Sequence, residues 1–575
     1  MHTATSTSAA PIARRVSFTD LYTPKLITVL REGYGGKDLR ADLFAGLTVA
    51  IVALPLSMAI AIASGATPDR GLYTAIVGGF LISLFGGSRF QIGGPAGAFI
   101  VLVAATVERN GIDGMLLATA MAGVFLIAAG FLRLGTYVKF LPFPVTVGFT
   151  AAIAVIIAAS QVKDLLGLTL TGKEPGPLLQ KIPVLAQASG TLNPAALGLA
   201  VLTIVIIAAL RKWRPHWPGI LIAVAAATLA TTLFGLPVQT IGTQFGGIPN
   251  SLPAPALPVF SLARMQAVLP DAAAFALLGA IESLLSAVVA DGMTGRRHRA
   301  NCELVAQGIA NIGSALFGGI CATGTIARTA TNIRAGARGP IAGMVHSAVL
   351  LGFMLVAAPL AHDIPLAALA GVLITVAWNM VERDALVTLF RSSRGDTVVL
   401  LATFLLTVFD DLMTGIVVGF GIGTLLFVSR IAQATGVAAE TPFAPQDTAD
   451  HGDGERTPYD ASLATDPRVI VYRITGAFFF GVASAVGEAL DFMSDDRCKV
   501  LIVDFSGVPF LDSTAANTIE GIGRKARQRG VTMIVTGASP ALRRTLTAHG
   551  VTPPLATYES TIDSALETAR TLMPA

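Results

Sequence analysis

Charge is what this sequence has least of. Only 13% of its 575 residues are Asp, Glu, Lys or Arg, about half the share of an ordinary soluble chain, which excludes a soluble globular protein of this length. Cysteine is scarce as well. Cys302, Cys321 and Cys498 stand apart, without metal-ligand or disulfide-framework spacing, so free thiols are expected. No Walker loop, zinc spacing or hydrolase elbow occurs, which argues against an ATP-driven pump or a membrane enzyme, and no cofactor is expected. Residues 1–40 lack the apolar core of a cleavable signal peptide and carry Arg14, Arg15, Lys25, Arg31, Lys37 and Arg40. They read as a cytoplasmic N-terminal region followed by an uncleaved signal anchor. The net charge of +4 gives no reason to expect nucleic acid, because the basic residues fall in loops where membrane topology requires them.

What is abundant is apolar sequence: 53% of residues are hydrophobic and the mean hydropathy is +0.69. Runs near the roughly 20 residues that cross a bilayer recur from Asp42 to Val428. The first clear one is Thr48 to Ser64, interrupted by Pro55, and the second half opens near Ala272. Two segments are short. Gly93, Gly94, Pro95 and Gly97 precede the apolar run Ala98 to Val107, which at about 1.5 Å per residue reaches half to two-thirds of a membrane core. The second begins near Thr323. Short, Gly/Pro-initiated segments point to broken helices. About fourteen segments result, and basic residues cluster in alternate loops, which places both termini in the cytoplasm. The short segments fall third in each run of about seven. The fold class expected is therefore a polytopic α-helical membrane protein in a 7+7 inverted repeat, residues 41–260 and 265–432, with two half-helices.

The stretch from Leu277 to Pro340 holds the residues most costly to place in lipid. Glu282 lies in an apolar run, and Arg328 in a segment too polar for a lipid-facing span. Opposite ionisable residues at membrane depth mark an ion or substrate path. Half-helix N-termini present unpaired N–H groups to an anion, and Gly94, Pro95, Ala96 and Gly97 fit one terminus, Thr325, Ile326, Ala327 and Arg328 the other. Arg328 adds a bidentate fork for a carboxylate or oxyanion. The alternative is that these glycines only allow close helix packing. Glu282 suits proton coupling, or else ties helices together; Ser283 and Ser286 share its neighbourhood. Asp291 and Glu303, beside a basic loop, are expected to be solvated or ion-paired.

Residues 433–466 read as a linker. From Pro467 the pattern becomes soluble α/β, with strands VIVYRITG, KVLIVDFSG and VTMIVTG alternating with helices VASAVGEALDFM, DSTAANTIEGIGRKARQRG and ALRRTLTAHG. Asp512, Ser513 and Thr514 are placed to cap a helix, with a phosphorylation or nucleotide-sensing point as the alternative.

PLSMAIAIASGATPDRGLYTAIVGGFLISLFGGSRFQIGGPAGA resembles the signature region of the sulfate permease (SulP) family, which includes the solute carrier 26 anion transporters. Residues 467–573 resemble a STAS domain, and LLGAIESLLSAVVADGMTG with ATGTIARTATNIRAGA is similar to the bacterial C4-dicarboxylic acid transporter branch. The resemblance implies core and gate domains, an elevator-type movement, a homodimer in the bacterial inner membrane, and a cytoplasmic partner for the STAS domain. It puts Leu56, Met58 and Ile60, Gly94 to Ala98 (with Pro95, Ala96 and Gly97), and Ala327, Arg328 and Thr329 at a small anionic substrate, beside Thr325. It implies coupling to H+ or Na+ through Glu282 and Ser286, and makes Ser513 the regulatory position. The activity expected is proton-coupled uptake of succinate or fumarate. The rivals are sulfate or bicarbonate transport on the same scaffold, an anion channel, or a STAS-linked sensor.

Overall fold

The computed structural model describes residues 17–573 except 138–141, 173–174, 176–177, 215–216, 411, 435, 440–467, 480–482 and 484–497. Among these, eight helices are long and apolar enough to cross a membrane, and Gly219–Phe234 is a shorter apolar helix. The chain forms two compact units, Met1–Gly421 and Ile422–Ala575.

In the first unit, several helices outrun the apolar windows that announce them. The first is Gly36–Ala63 rather than Thr48 onward, and Leu262–Thr294 starts ten residues before Ala272. Their polar ends carry no hydropathy signal, yet the backbone hydrogen bonds continue until a cap intervenes, as Ser261 does by accepting from Arg264 N. The third and fourth spans are one helical run, Ile100–Phe131, broken only at Gly111, whose φ of 69° leaves the helical region. Glycine is needed there, because a side chain is strained at that φ. Beside this hinge Arg109 Nη2 is 2.5 Å from Asp271 Oδ1 and ties the third span to the Leu262–Thr294 helix.

The helices sort into two bundles. One gathers Gly36–Ala63, Gly79–Phe85, Ile100–Phe131, Leu262–Thr294, Ala300–Leu316 and Ile341–Ala357; the other gathers Phe143–Ser160, Pro194–Trp213, Leu366–Met380 and Arg394–Phe409. Small residues set the contacts. A Cβ on Gly123 would meet Gly308 O at 2.6 Å, and one on Gly308 would meet Gly123 O at 2.4 Å, so these two helices touch backbone to backbone.

The second unit carries a sheet ordered β3 (Gly436–Ala439), β4 (Val469–Thr475), β5 (Val500–Gly507), β6 (Thr532–Thr536) and β7 (Ala556–Tyr558), counting after two short strands β1 (Gly93–Gly94) and β2 (Thr323–Gly324) in the first. All its pairings are parallel except β3 with β4. Alternation along β5 sends Leu501, Val503 and Phe505 to one face, against the Ser513–Gln528 helix, and Val500 and Ile502 to the other, against Ile562–Leu572. The expected linker thus contributes an edge strand at Gly436–Ala439; the expected VASAVGEALDFM helix lies, apart from Ala483, outside the described residues.

Candidate functional site

The two short segments meet. β1 and β2 pair antiparallel, Gly93 opposite Gly324 and Gly94 opposite Thr323. Thr325 N extends the pairing by donating to Ile92 O at 3.0 Å. A helix begins just past each strand: a 3-10 turn Gly97–Phe99 leading into Ile100–Phe131, and Ile326–Arg334. The first N–H groups of each helix have no acceptor within their own helix, and the aligned peptides make both ends partly positive.

Arg328 stands in the first turn of the second half-helix and is 2% exposed. Its Nη2 donates to Pro95 O at 2.9 Å, across the crossing. Among the described residues Nε and Nη1 have no acceptor, and no carboxylate pairs with the guanidinium. A buried, uncompensated cation costs several kcal/mol, a cost that a bound anion removes. Gly94 makes the approach possible: its φ is 149°, and a Cβ there would lie 2.4 Å from Arg328 Nη1.

Glu282 sits on the neighbouring Leu262–Thr294 helix, 8% exposed and with no hydrogen-bond partner among the described residues. It faces a narrow cleft lined by Val145, Thr146, Phe149, Thr150, Leu285 and Ile416. Its helix is bound to the second half-helix on both sides of the carboxylate. Thr323 Oγ1 donates to Gly279 O at 3.3 Å, and Ser286 Oγ lies 3.0 Å from Thr329 Oγ1, which accepts from Ile92 N at 3.1 Å. Gly279 and Ser286 fall three and four residues from Glu282, on the same helix face.

The exposed part of the site is elsewhere on the same turns. Ala327 is exposed, Thr325 and Gly97 are half-buried, and Pro95, Ala96 and Ala98 are buried. A Cβ on Gly97 would reach Ile157 Cδ1 at 3.3 Å and Met380 Sδ at 3.8 Å, so Gly97 looks toward the second bundle. Leu56, Met58 and Ile60 are all buried in the first helix; its 3.6-residue repeat puts Leu56 and Ile60 on one face and Met58 on the opposite one.

Some placements differ from expectation. Asp291 is half-buried, its Oδ2 2.7 Å from His298 Nδ1 and accepting from His298 N at 3.1 Å. Glu303 is fully buried instead: its Oε2 accepts from Gly87 N at 2.8 Å and Ser88 N at 3.1 Å, and its Oε1 from Gln307 Nε2 at 2.8 Å. A carboxylate satisfied by backbone amides needs no cation. Asp512 caps Ser513–Gln528 through Ala515 N at 2.9 Å, which leaves Ser513 exposed at the first helical position. Sequence reasoning missed His346, buried at 0% exposure, with both ring nitrogens unpartnered among the described residues and within electrostatic range of Arg328. A lone histidine in the apolar run Ile341–Ala357 was the only available signal.

Two half-helices cross in a polytopic bundle with a buried arginine between them, an arrangement suited to holding an anion at membrane depth. The model of the sulfate permease family matches residues 39–403 and that of the STAS domain residues 460–565. This chain belongs to the sulfate permease family. It is 41% identical over 506 residues to the "Putative sulfate transporter YvdB" of Bacillus subtilis, covering 88% of this chain and 92% of that one. It is 33% identical over 520 residues to the bicarbonate transporter BicA of Synechocystis, covering 89% and 90%. Among solved structures, the transmembrane domain of a cyanobacterial BicA aligns with a TM-score of 0.61 at 35% identity, covering 67% of this chain and 98% of that one. The murine solute carrier 26 member A9 anion transporter, inward-facing, aligns at 0.83 and 19% identity over 99% and 96%, a likeness of fold.

Proposed function

We propose that this protein is a secondary active transporter of a small oxyanion, held at the β1–β2 crossing by the two half-helix N-termini and Arg328, with Glu282 as the coupling residue. The observation that carries the reading is the buried guanidinium of Arg328, whose Nε and Nη1 lack acceptors among the described residues. Nη2 keeps a second hydrogen, which completes one edge of the guanidinium fork with Nε or with Nη1, and that edge can take two oxygens of one planar or tetrahedral anion. The names of the relatives support sulfate or bicarbonate at least as well as succinate or fumarate. All four present the same pair of oxygens.

Proton coupling is supported by the surroundings of Glu282. Thr146 and Leu285 line both its cleft and a larger cavity that reaches Asp291, His298 and Arg299. A proton entering there can approach Glu282 past the Thr146 hydroxyl, and its uptake cancels a charge that is expensive inside the bundle. An elevator-type displacement of the bundle carrying β1 and β2 against the other, in a homodimer, completes the proposal. The test is uptake of labelled sulfate, bicarbonate and succinate into liposomes under separate inward proton and sodium gradients. The reading expects one oxyanion to accumulate with the proton gradient. Accumulation driven by sodium alone would reassign the coupling ion, and no uptake of any of them would overturn the proposal.

A further inference from the structure

At one edge of the first unit the helices Pro194–Trp213 and Leu366–Met380 pack side by side. The groove between them, about 630 Å³, is lined by Ile204, Ile207, Ala208, Ile374 and Thr375 before it reaches Arg211 and Lys212. A second cavity of about 650 Å³ continues it, lined by Arg383, Glu382 and Asp384. Arg211, Trp378 and Asn379 line both, so the two form one site, apolar at one end and polar at the other.

The polar end is built around cations. Arg211, Lys212 and Arg383 are exposed, and none forms an ion pair with Glu382 or Asp384. Arg383 lies over the Trp378 ring, 3.8 Å from its centroid, and Arg211 Nη1 donates to Asn379 Oδ1. The guanidinium groups are thus fixed in place while their remaining donors stay open. Depth in the membrane is marked independently. The chain has three tryptophans, Trp213, Trp217 and Trp378, 73%, 58% and 65% exposed, and all fall at this end of these helices or just beyond it. Exposed tryptophans gather at the level of lipid headgroups. The following helix, Arg383–Ser392, exposes Val387 and Phe390 between charged residues, as a helix lying in that layer does.

We propose that this is a binding site for one anionic phospholipid, with an acyl chain in the apolar groove and the phosphodiester between Arg211, Lys212 and Arg383. A free anion would use the cations but gain nothing from the groove. A zwitterionic lipid would fill the groove but bring a cation of its own to a site where three cations already outnumber the carboxylates of Glu382 and Asp384. None of its lining residues belongs to β1, β2 or the half-helices, and the proposal does not depend on which anion is transported.

Because Trp378 lines the site and the other two tryptophans fall at the same end of these helices, quenching of intrinsic fluorescence reports lipid there in the full chain. The protein is reconstituted in phosphatidylcholine vesicles containing rising fractions of dibrominated phosphatidylglycerol or dibrominated phosphatidylcholine. Half-maximal quenching is expected at about a five-fold lower mole fraction of the anionic lipid. The combined Arg211→Gln, Lys212→Gln and Arg383→Gln variant should bring the two curves together, with Lys212→Gln alone giving a partial shift should the triple variant misfold. Arg296→Gln with Arg297→Gln, at a different cavity, should keep the preference. Coincident curves for the unsubstituted protein, a preference that survives the triple substitution, or equal loss in the Arg296/Arg297 variant would each overturn the proposal.

Discussion

Gly94 and Arg328 occupy each other's space: a Cβ on the glycine would stand 2.4 Å from Nη1 of the arginine. The glycine is therefore a condition for where the charge sits. Gly94→Ala should displace the guanidinium, and with it the bond to Pro95 O. A hydrogen bond from a charged group contributes about 1.5–3 kcal/mol, so initial uptake should fall about 10- to 100-fold at fixed substrate. Unchanged circular dichroism in the same preparation would show that the helices survive.

Arg328 itself separates charge from geometry. Arg328→Lys keeps a cation but loses the planar fork, and Arg328→Gln loses the charge. The expected order of uptake is Arg above Lys above Gln, with Gln at background. Equal uptake by Lys and Gln variants, measured in liposomes at saturating substrate, would show that the charge does not matter.

Glu282→Gln should uncouple transport from the proton gradient while leaving exchange of internal for external anion. The measurement is counterflow beside gradient-driven uptake in one preparation. Loss of both would mean that Glu282 holds the helices together and has no coupling role.

Thr329 Oγ1 accepts from Ile92 N and touches Ser286 Oγ. Thr329→Val leaves that buried N–H without a partner, at a cost of about 1–3 kcal/mol, and should lower the thermal midpoint of the solubilised protein by several degrees. Thr329→Ser should restore it.

In the STAS domain, burial pushes the Asp504 carboxyl up, but donors from Ser506, Arg473 Nε at 2.8 Å and Thr536 outweigh it and hold the group below the ordinary carboxylate range. A depressed pKa gives stability that is present above the unfolded value, about pH 4, and is lost as pH falls through the folded one. Hydrogen-exchange protection at Val500–Gly507 in the full chain, corrected for the intrinsic pH dependence of amide exchange, should therefore fall below about pH 4. Asp504→Asn should exchange faster at pH 7 and lose most of that acid step.

Much of this was legible in the sequence. The two broken helices showed themselves because Gly93-Gly94-Pro95 and the polar stretch around Arg328 interrupt apolar runs that are otherwise of spanning length. The pairing of Gly93 with Gly324 could not be read the same way, since two-residue strands have no periodicity. Helix starts were misplaced at Gly36 and Leu262 because polar flanks hide helical hydrogen bonding from hydropathy. Glu303 was misread because its partners are backbone amides of Gly87 and Ser88, and any residue type can supply those. Gly436–Ala439 reads as linker from sequence because Gly-Val-Ala-Ala shows no apolar–polar alternation.

The claim that an anion rests on the half-helix ends is tested most directly by protection. Cys302, Cys321 and Cys498 are buried, whereas Ala327 is exposed beside Arg328, so Ala327→Cys offers one accessible thiol at the site. Its reaction with a methanethiosulfonate reagent should slow several-fold as the transported oxyanion is added, and Arg328→Gln in the same background should abolish that protection. A modification rate indifferent to every anion in the uptake panel would contradict the account.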